Sequence, residues 1–320
     1  MRKIVATTSY PGEKFSNLVK DLDIEILSFD RPALKEDILR SVYGAEILIP
    51  TIVDTIDKDV IDKGCESLKL IANYGVGYNH IDVAYANSKG IIVTNTAGAL
   101  TDTTADLAFS LIMSVSRRIC EGDRFVREGK FKAWMPSLFL GSDVYGKTLG
   151  IIGFGRIGQT IAKRAKGFNM KVFYFSRNKV DEQIENELNA EYLEIDELLK
   201  LSDFVSLNLP LTNATYHFIT YEKLKLMKKS AFIINTSRGA VINEDDLVRT
   251  LEEGVIAGAG LDVYEFEPKI HLKLLKLGGT VLLPHIGSAS VETRTRMADS
   301  VVDDVRLFLS GKRPLNVVTL

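Results

Sequence analysis

The sequence predicts an α/β protein built from two doubly wound parallel sheets. Short apolar runs of strand length alternate with amphipathic, helix-length segments along nearly the whole chain. One complete set of these units fills the first hundred residues, and a glycine-rich turn near residue 150 opens a second set. The chain has 320 residues, 46% hydrophobic and 26% charged, an ordinary folded composition at a length that suits two domains. Its 40 Lys and Arg against 42 Asp and Glu leave a net charge of −2 with no basic block, which argues against a nucleic-acid partner. The run Ile4 to Thr7 is too short for a secretion signal, and no apolar stretch suits a membrane span. Cys65 and Cys120 make neither a disulfide framework nor a metal spacing and read as small buried hydrophobes. A cytosolic protein with no metal site is expected.

The elements follow in order. Ile4–Thr7, Ile24–Leu27, Ala45–Ile49, Leu68–Ala72 and Ile91–Thr94 read as strands. Between them lie amphipathic segments such as Asp57 to Lys63 and Asp82 to Lys89, each followed by a glycine that ends a helix. Thr101 is the expected N-cap of a long apolar helix, with Asp102 at the positive end of its dipole and the helix serving as a connector between domains. Residues 120–145 break the pattern and gather Phe125, Phe131, Trp134, Met135, Leu138, Phe139 and Leu140, an interface signature or a loop folded onto its own domain. Later strands are read at Leu149–Ile152, Lys171–Phe175, Phe204–Leu207, Ala231–Asn235, Ala257–Leu261 and Thr280–Leu283, six in all, with Asn243 capping one intervening helix. Ser290 to Ser310 forms a last amphipathic helix that returns to the N-terminal region, and the tail from Gly311 to Pro314 is expected to end ordered structure. The domains are therefore residues 1–100 with 287–320, on the substrate side, and residues 101–286, on the nucleotide side.

Gly153, Gly155 and Gly158 stand at G-x-G-x-x-G spacing, directly after the strand Leu149–Ile152 and directly before a helical pattern. In that position the motif binds a dinucleotide. The first glycine makes the tight turn, the second lets a pyrophosphate approach the backbone, and the third lets helix and strand pack closely. A Rossmann domain is thus inserted into a flavodoxin-like one. An acidic residue for the ribose 2′-hydroxyl is expected about 20 residues after the motif, yet the second strand ends in Phe175-Ser176-Arg177-Asn178. Ser176 and Arg177 can hydrogen-bond and neutralise a 2′-phosphate, which favours NADP(H), with NAD(H) as the alternative.

Ligands of open α/β sheets bind beyond the carboxyl ends of the strands. There the chain offers Asn235-Thr236-Ser237-Arg238-Gly239, then Leu261 to Pro268, then Pro284-His285-Ile286-Gly287-Ser288. An arginine, a carboxylate and a histidine from successive strand ends are what hydride transfer to a carbonyl requires. The arginine clamps a substrate carboxylate, the histidine exchanges the alcohol proton, and the carboxylate holds that histidine protonated.

These pieces, with Tyr74-Gly75-Val76-Gly77-Tyr78, Thr104-Ala105-Asp106-Leu107-Ala108 and Leu209-Pro210-Leu211-Thr212, resemble the D-isomer-specific 2-hydroxyacid dehydrogenase family over essentially the full chain. Trp134 with Pro136, Leu140 to Thr148, and Pro284 to Ala289 are most similar to its glyoxylate/hydroxypyruvate reductases. The chain departs from the pattern at Ser176-Arg177, where many relatives carry Asp, and at Asp102, where Glu is usual. The resemblance implies reduction of a small 2-oxo acid, glyoxylate or hydroxypyruvate, to the D-2-hydroxy acid. His285 would be the proton donor, Glu267 its partner, and Arg238 the carboxylate clamp, completed by the Val76 and Gly77 N–H groups. Trp134 would reach the substrate pocket of a partner subunit in a homodimer. The nucleotide would touch Thr104, the turn from Gly153 through Arg156 and Ile157 to Gly158, and Ser176 with Arg177. It would further touch Leu209, Pro210 and Thr215, then Thr236 and Ser237, then Asp262, His285 and Gly287, with Asp262 at the nicotinamide end. Glu265 is the competitor for the glutamate role, while His80, His217 and His271 read as structural donors. Another 2-oxo acid such as 2-ketogluconate or pyruvate is the alternative substrate, and a nucleotide-sensing dimeric scaffold is the rival outside catalysis.

Overall fold

The computed structural model describes residues 3–28 and 31–319. The chain divides into two compact units, Met1–Leu100 with Ser288–Leu320, and Thr101–Gly287, so that the second is inserted into the sequence of the first.

The first unit alternates β1 (Lys3–Ala6), α1 (Glu13–Asp21), β2 (Ile24–Ile26), α2 (Lys35–Ser41), β3 (Ala45–Ile49), α3 (Lys58–Gly64), β4 (Leu70–Ala72), α4 (Val83–Ser88) and β5 (Ile92–Thr94). All pairings are parallel, in the order β2-β1-β3-β4-β5, the flavodoxin-like arrangement. Successive strand residues point to opposite faces, and both faces are covered. Ile4, Ile47, Ile49 and Leu70 enter one core, and Val5, Leu48, Ile71 and Val93 enter the other. Asp57 and Asp82 cap α3 and α4 by accepting from the N–H groups of Val60 and Tyr85.

The second unit runs α5 (Thr101–Ser116), α6 (Ile119–Arg127), β6 (Thr148–Ile152), α7 (Arg156–Lys166), β7 (Lys171–Phe175), α8 (Glu182–Leu188), β8 (Ala190–Tyr192), α9 (Ile195–Leu201), β9 (Phe204–Leu207), α10 (Tyr221–Leu224), β10 (Phe232–Asn235), α11 (Glu244–Glu252), β11 (Gly258–Leu261) and β12 (Thr280–Leu282). Its parallel sheet has the order β12-β11-β10-β9-β6-β7-β8, so chain direction across the sheet reverses between β6 and β9. A crevice at that reversal is where such sheets hold a dinucleotide. Asn243 caps α11 through the N–H of Asp246.

Several expectations need correction. The second sheet has seven strands: β8 is only three residues long and lies at an edge, too short for a periodic signal. Residues 119–127, expected to be irregular, form α6, whose side chains are all at least partly exposed. Thr101 is the first helical residue and not a cap. The helix α5 is no linker: it buries Ala105, Ala108, Leu111, Ile112 and Val115 in the core of the second unit. Cys65 and Cys120 are free and only half-buried.

The last helix, α12 (Val291–Leu309), packs Ala298, Val301, Val302 and Val305 into the core of the first unit, as its pattern predicts. The tail beyond it stays ordered. Asp304 accepts from the N–H of Leu315, Asn95 and Val318 bond to Asn316 and Val93, and Val317 pairs antiparallel with Thr94. Ser290 caps α12, its hydroxyl accepting from the Thr293 N–H at 3.1 Å. Ser290→Ala should therefore lower stability by about 1 kcal/mol, read as a lower urea midpoint at unchanged slope.

Candidate active site

The loop between β6 and α7 is closed by close backbone approaches. Gly153 has φ 93°, and a Cβ there would lie 2.5 Å from the carbonyl oxygen of Asn208, which follows β9. A Cβ on Gly158 would lie 2.3 Å from the Gly153 carbonyl oxygen, whereas Gly155 has open space before it. Gly155 is the N-cap of α7 and offers no side chain, so the first N–H groups of the helix face outward uncapped. Arg156 is exposed and Ile157 half-buried at the start of that helix. Two buried polar atoms at neighbouring strand ends, Thr236 Oγ1 and Asn208 Oδ1, have no hydrogen-bond partner among the described residues. An anion-binding helix end, an open glycine and orphaned polar atoms fit a dinucleotide.

Further along this rim, Thr215 closes the turn after β9, its hydroxyl donating to the Pro210 carbonyl at 2.5 Å and accepting from the Thr212 N–H at 2.8 Å; Leu209 lies half-buried beside it. Ser176 Oγ donates to the Asn178 carbonyl at 2.5 Å, and Arg177 is exposed with no hydrogen bond or ion pair among the described residues.

Arg238, Glu267 and His285 emerge beyond β10, β11 and β12, three hydrogen-bonded neighbours. Asn235 shapes the first loop: its side-chain oxygen accepts from the Ser237 N–H and hydroxyl, and its amide donates to the Arg238 carbonyl at 2.9 Å. Gly239 must be glycine, because a Cβ would lie 1.8 Å from the Tyr264 carbonyl carbon. That approach brings the Arg238 segment against the loop that carries Glu267. Burial draws the Arg238 pKa below its ordinary value, against the opposing charge of Glu267.

The third loop is organised by Asp262, which is 1% exposed. Its Oδ1 accepts from the Ile286 N–H at 2.7 Å, its Oδ2 from the Gly287 N–H at 2.8 Å, and its carbonyl from the His285 N–H at 2.9 Å. Three consecutive N–H groups turn onto one residue because His285 adopts a left-handed backbone, φ 54°. Burial raises the Asp262 pKa, partly offset by the two N–H donors and His285. Thr104 on α5 is buried and donates its hydroxyl to the Gly287 carbonyl at 3.1 Å. Asp262 and Thr104 thus spend their polar atoms on holding the histidine loop, a use that the sequence alone did not suggest.

His285 Nδ1 lies 2.8 Å from Glu267 Oε2, and Glu267 Oε1 accepts from the Tyr264 N–H at 2.9 Å. Burial pushes the Glu267 carboxyl up, but the hydrogen bond and charge of His285, the Tyr264 N–H and the Arg238 charge together hold it below the usual range. Glu265 does not compete for His285; it pairs with His217. His80 and His271 make structural contacts, to Asn73 and to Asp245.

In the first unit, Val76 and Gly77 follow β4. The buried Asn73 donates to the Gly77 carbonyl and Asn95 to the Val76 carbonyl, at 3.0 and 2.9 Å. Among the described residues, the Val76 and Gly77 N–H groups have no acceptor. Trp134 lies in the irregular segment after α6 and is 77% exposed.

Residues 109–287 match the model of the family described as D-isomer specific 2-hydroxyacid dehydrogenase, NAD binding domain. The glyoxylate reductase of Pyrococcus horikoshii is 48% identical over 320 residues, covering 99% of this chain and 95% of that one. A solved Thermus thermophilus protein is 41% identical with a TM-score of 0.92, covering 99% of this chain and all of that one. The NADPH-dependent glyoxylate/hydroxypyruvate reductase of Sinorhizobium meliloti, solved with NADP and malonate, is 29% identical with a TM-score of 0.87, covering 99% and 97%. Fold, glycine turn and relatives together define an oxidoreductase that uses a nicotinamide nucleotide. The chain belongs to the D-isomer-specific 2-hydroxyacid dehydrogenase family.

The Glu267–His285 pair has a pH consequence. A carboxyl depressed in the folded state contributes stability that is complete above its unfolded pKa and is lost as pH falls through the folded value. Below about pH 4.3, the wild-type melting temperature should fall more steeply than that of Glu267→Gln. Parallel curves of Tm against pH would refute the linkage.

Proposed function

We propose that this enzyme reduces glyoxylate or hydroxypyruvate to glycolate or D-glycerate, with NADPH preferred over NADH. The observation that carries the reading is the 2.8 Å contact between His285 Nδ1, beyond β12, and Glu267, beyond the neighbouring β11, with Arg238 rising beyond β10, the next strand of the same sheet. Because Nδ1 is engaged by Glu267, Nε2 is the ring atom left to face a substrate. His285 donates the Nε2 proton to the carbonyl oxygen of the 2-oxo acid, and Glu267, hydrogen-bonded to Nδ1, fixes the ring. Arg238 binds the substrate carboxylate and draws electron density from the carbonyl. The N–H groups of Val76 and Gly77 contribute to carboxylate binding. The nicotinamide nucleotide, when bound, supplies the hydride for C2, so that one hydride and one proton convert the carbonyl to an alcohol.

The α7 N-terminus, Gly153, Gly155 and Gly158 hold its pyrophosphate, Thr236 and Ser237 line its path, and Asp262 contributes near the nicotinamide mainly through the loop it holds. Ser176 and Arg177 receive a 2′-phosphate; the free, exposed guanidinium of Arg177 supports this, as does the NADP bound by the Sinorhizobium relative. The exposed apolar surface of Ile119, Val126, Phe131, Trp134 and Met135 supports a homodimer in which Trp134 serves the partner's substrate pocket. Among the described residues, no helix is long and apolar enough to cross a membrane.

The test is oxidation of NADH and NADPH, followed by absorbance, with glyoxylate, hydroxypyruvate, pyruvate and 2-ketogluconate. Glyoxylate or hydroxypyruvate should be turned over fastest, and His285→Ala should lower kcat about 100-fold or more while nucleotide binding persists. Near-normal turnover by that variant would remove the proton-donor role; tight nucleotide binding without turnover of any acid by the wild type would favour a scaffold. Arg177→Ala should raise the KM for NADPH about tenfold and leave that for NADH nearly unchanged. Equal effects on both would reject the 2′-phosphate contact.

A further inference from the structure

A second histidine–glutamate pair stands beside the first. His217, in the loop between β9 and α10, places Nε2 at 2.7 Å from Glu265 Oε1, two residues before Glu267. The other Glu265 oxygen accepts from the N–H of Glu244, the first residue of α11, at 3.1 Å. Glu244 reciprocates: its Oε2 accepts from the Glu265 N–H at 2.9 Å, and its Oε1 from the His271 N–H at 3.0 Å. Both carboxylates are buried, with 6% of Glu244 and 7% of the Glu265 side chain exposed. Buried carboxylates of this kind are costly unless every oxygen is bonded, so this arrangement has a single stable geometry.

The tautomer of His217 follows from its neighbour. Asn243 Oδ1 is committed to capping α11 through the Asp246 N–H, so its Nδ2 faces His217 Nδ1 at 3.3 Å. Nδ1 is therefore the acceptor, and Nε2 carries the hydrogen that goes to Glu265. His217 also donates its backbone N–H to the Ala240 carbonyl at 2.8 Å, two residues after Arg238. One residue thus ties the Arg238 segment by its backbone and the Glu267 segment by its ring. Between those attachments, Gly239 and the Tyr264 carbonyl group are in close contact.

We infer that His217 and Glu265 are positioning residues for the reaction, holding the loop of Glu267 in register with the loop of Arg238 so that His285 meets its glutamate. The inference rests on the reading of Arg238, Glu267 and His285 given above. Its test uses two substitutions at one position. His217→Asn suits the left-handed backbone there, φ 48°, and its amide oxygen can replace Nδ1 as the acceptor from Asn243, but it is too short to offer a donor to Glu265. His217→Gln puts an amide nitrogen where Nε2 was. With the full chain, glyoxylate and NADPH, His217→Asn should lose about 10- to 100-fold in kcat at a nucleotide Kd within about twofold of wild type, and His217→Gln should recover most of the loss. Glu265→Gln, which turns an amide N–H toward one of its two donors, should fall in the same way. Wild-type kcat in His217→Asn and Glu265→Gln overturns the positioning role, and so does an equal loss in the Asn and Gln variants of His217. His285→Ala is measured alongside: near-normal turnover there defeats the reading of the site itself, whereas its loss beside an unaffected His217→Asn defeats only this inference.

Discussion

The loops beyond β10, β11 and β12 depend on one buried carboxylate. Asp262 comes immediately after β11 and takes the N–H groups of Ile286 and Gly287, while its carbonyl takes that of His285. A histidine in a left-handed conformation is strained, and it persists only where its surroundings over-determine it. The three bonds to Asp262, with the Thr104 hydroxyl on the Gly287 carbonyl, supply that determination. With the backbone so held, Glu267 needs only one contact to orient the ring.

Close backbone approach is the second constraint, and it recurs at both ends of the chemistry. At the glycine turn, Gly153 meets Asn208 and Gly158 meets Gly153; at the rim beyond β10 and β11, Gly239 meets Tyr264. Each approach removes the space for a side chain and sets the distance between loops that leave neighbouring or nearby strands. A parallel sheet makes this economical, since all its strands end on one edge and successive loops converge there. The histidine–glutamate pairs at 285/267 and 217/265 lie along that same edge, one facing the rim and one locking the loop behind it.

The glycine spacing, the strand–helix alternation and the arginine, glutamate and histidine after successive strands are all local in sequence, and they led to the right fold class and family. The helix cap at Asn243 was legible for the same reason: a cap acts on residues two or three positions away. The misses share a cause as well. The strand β8 is too short to show a period, α6 displays its apolar side chains to the exterior, and the C-terminal tail is ordered by pairing with β5, far away in sequence.

What the sequence by itself determined was which chemical groups stand at which strand ends, because periodicity and turn chemistry are short-range. The resemblance had named Glu267 for His285, and the tertiary structure decided the remaining partners and the contacts that hold each group. It set Glu267 against His285, assigned Glu265 to His217, and spent the carboxylate of Asp262 on backbone N–H groups. Periodicity and turn chemistry do not separate two glutamates one residue apart; the family resemblance alone pointed to Glu267. They differ because Glu265 is pinned at the N-terminus of α11 and Glu267 is anchored by the Tyr264 N–H toward β12, and that distinction exists only once distant loops have been brought together by the sheet.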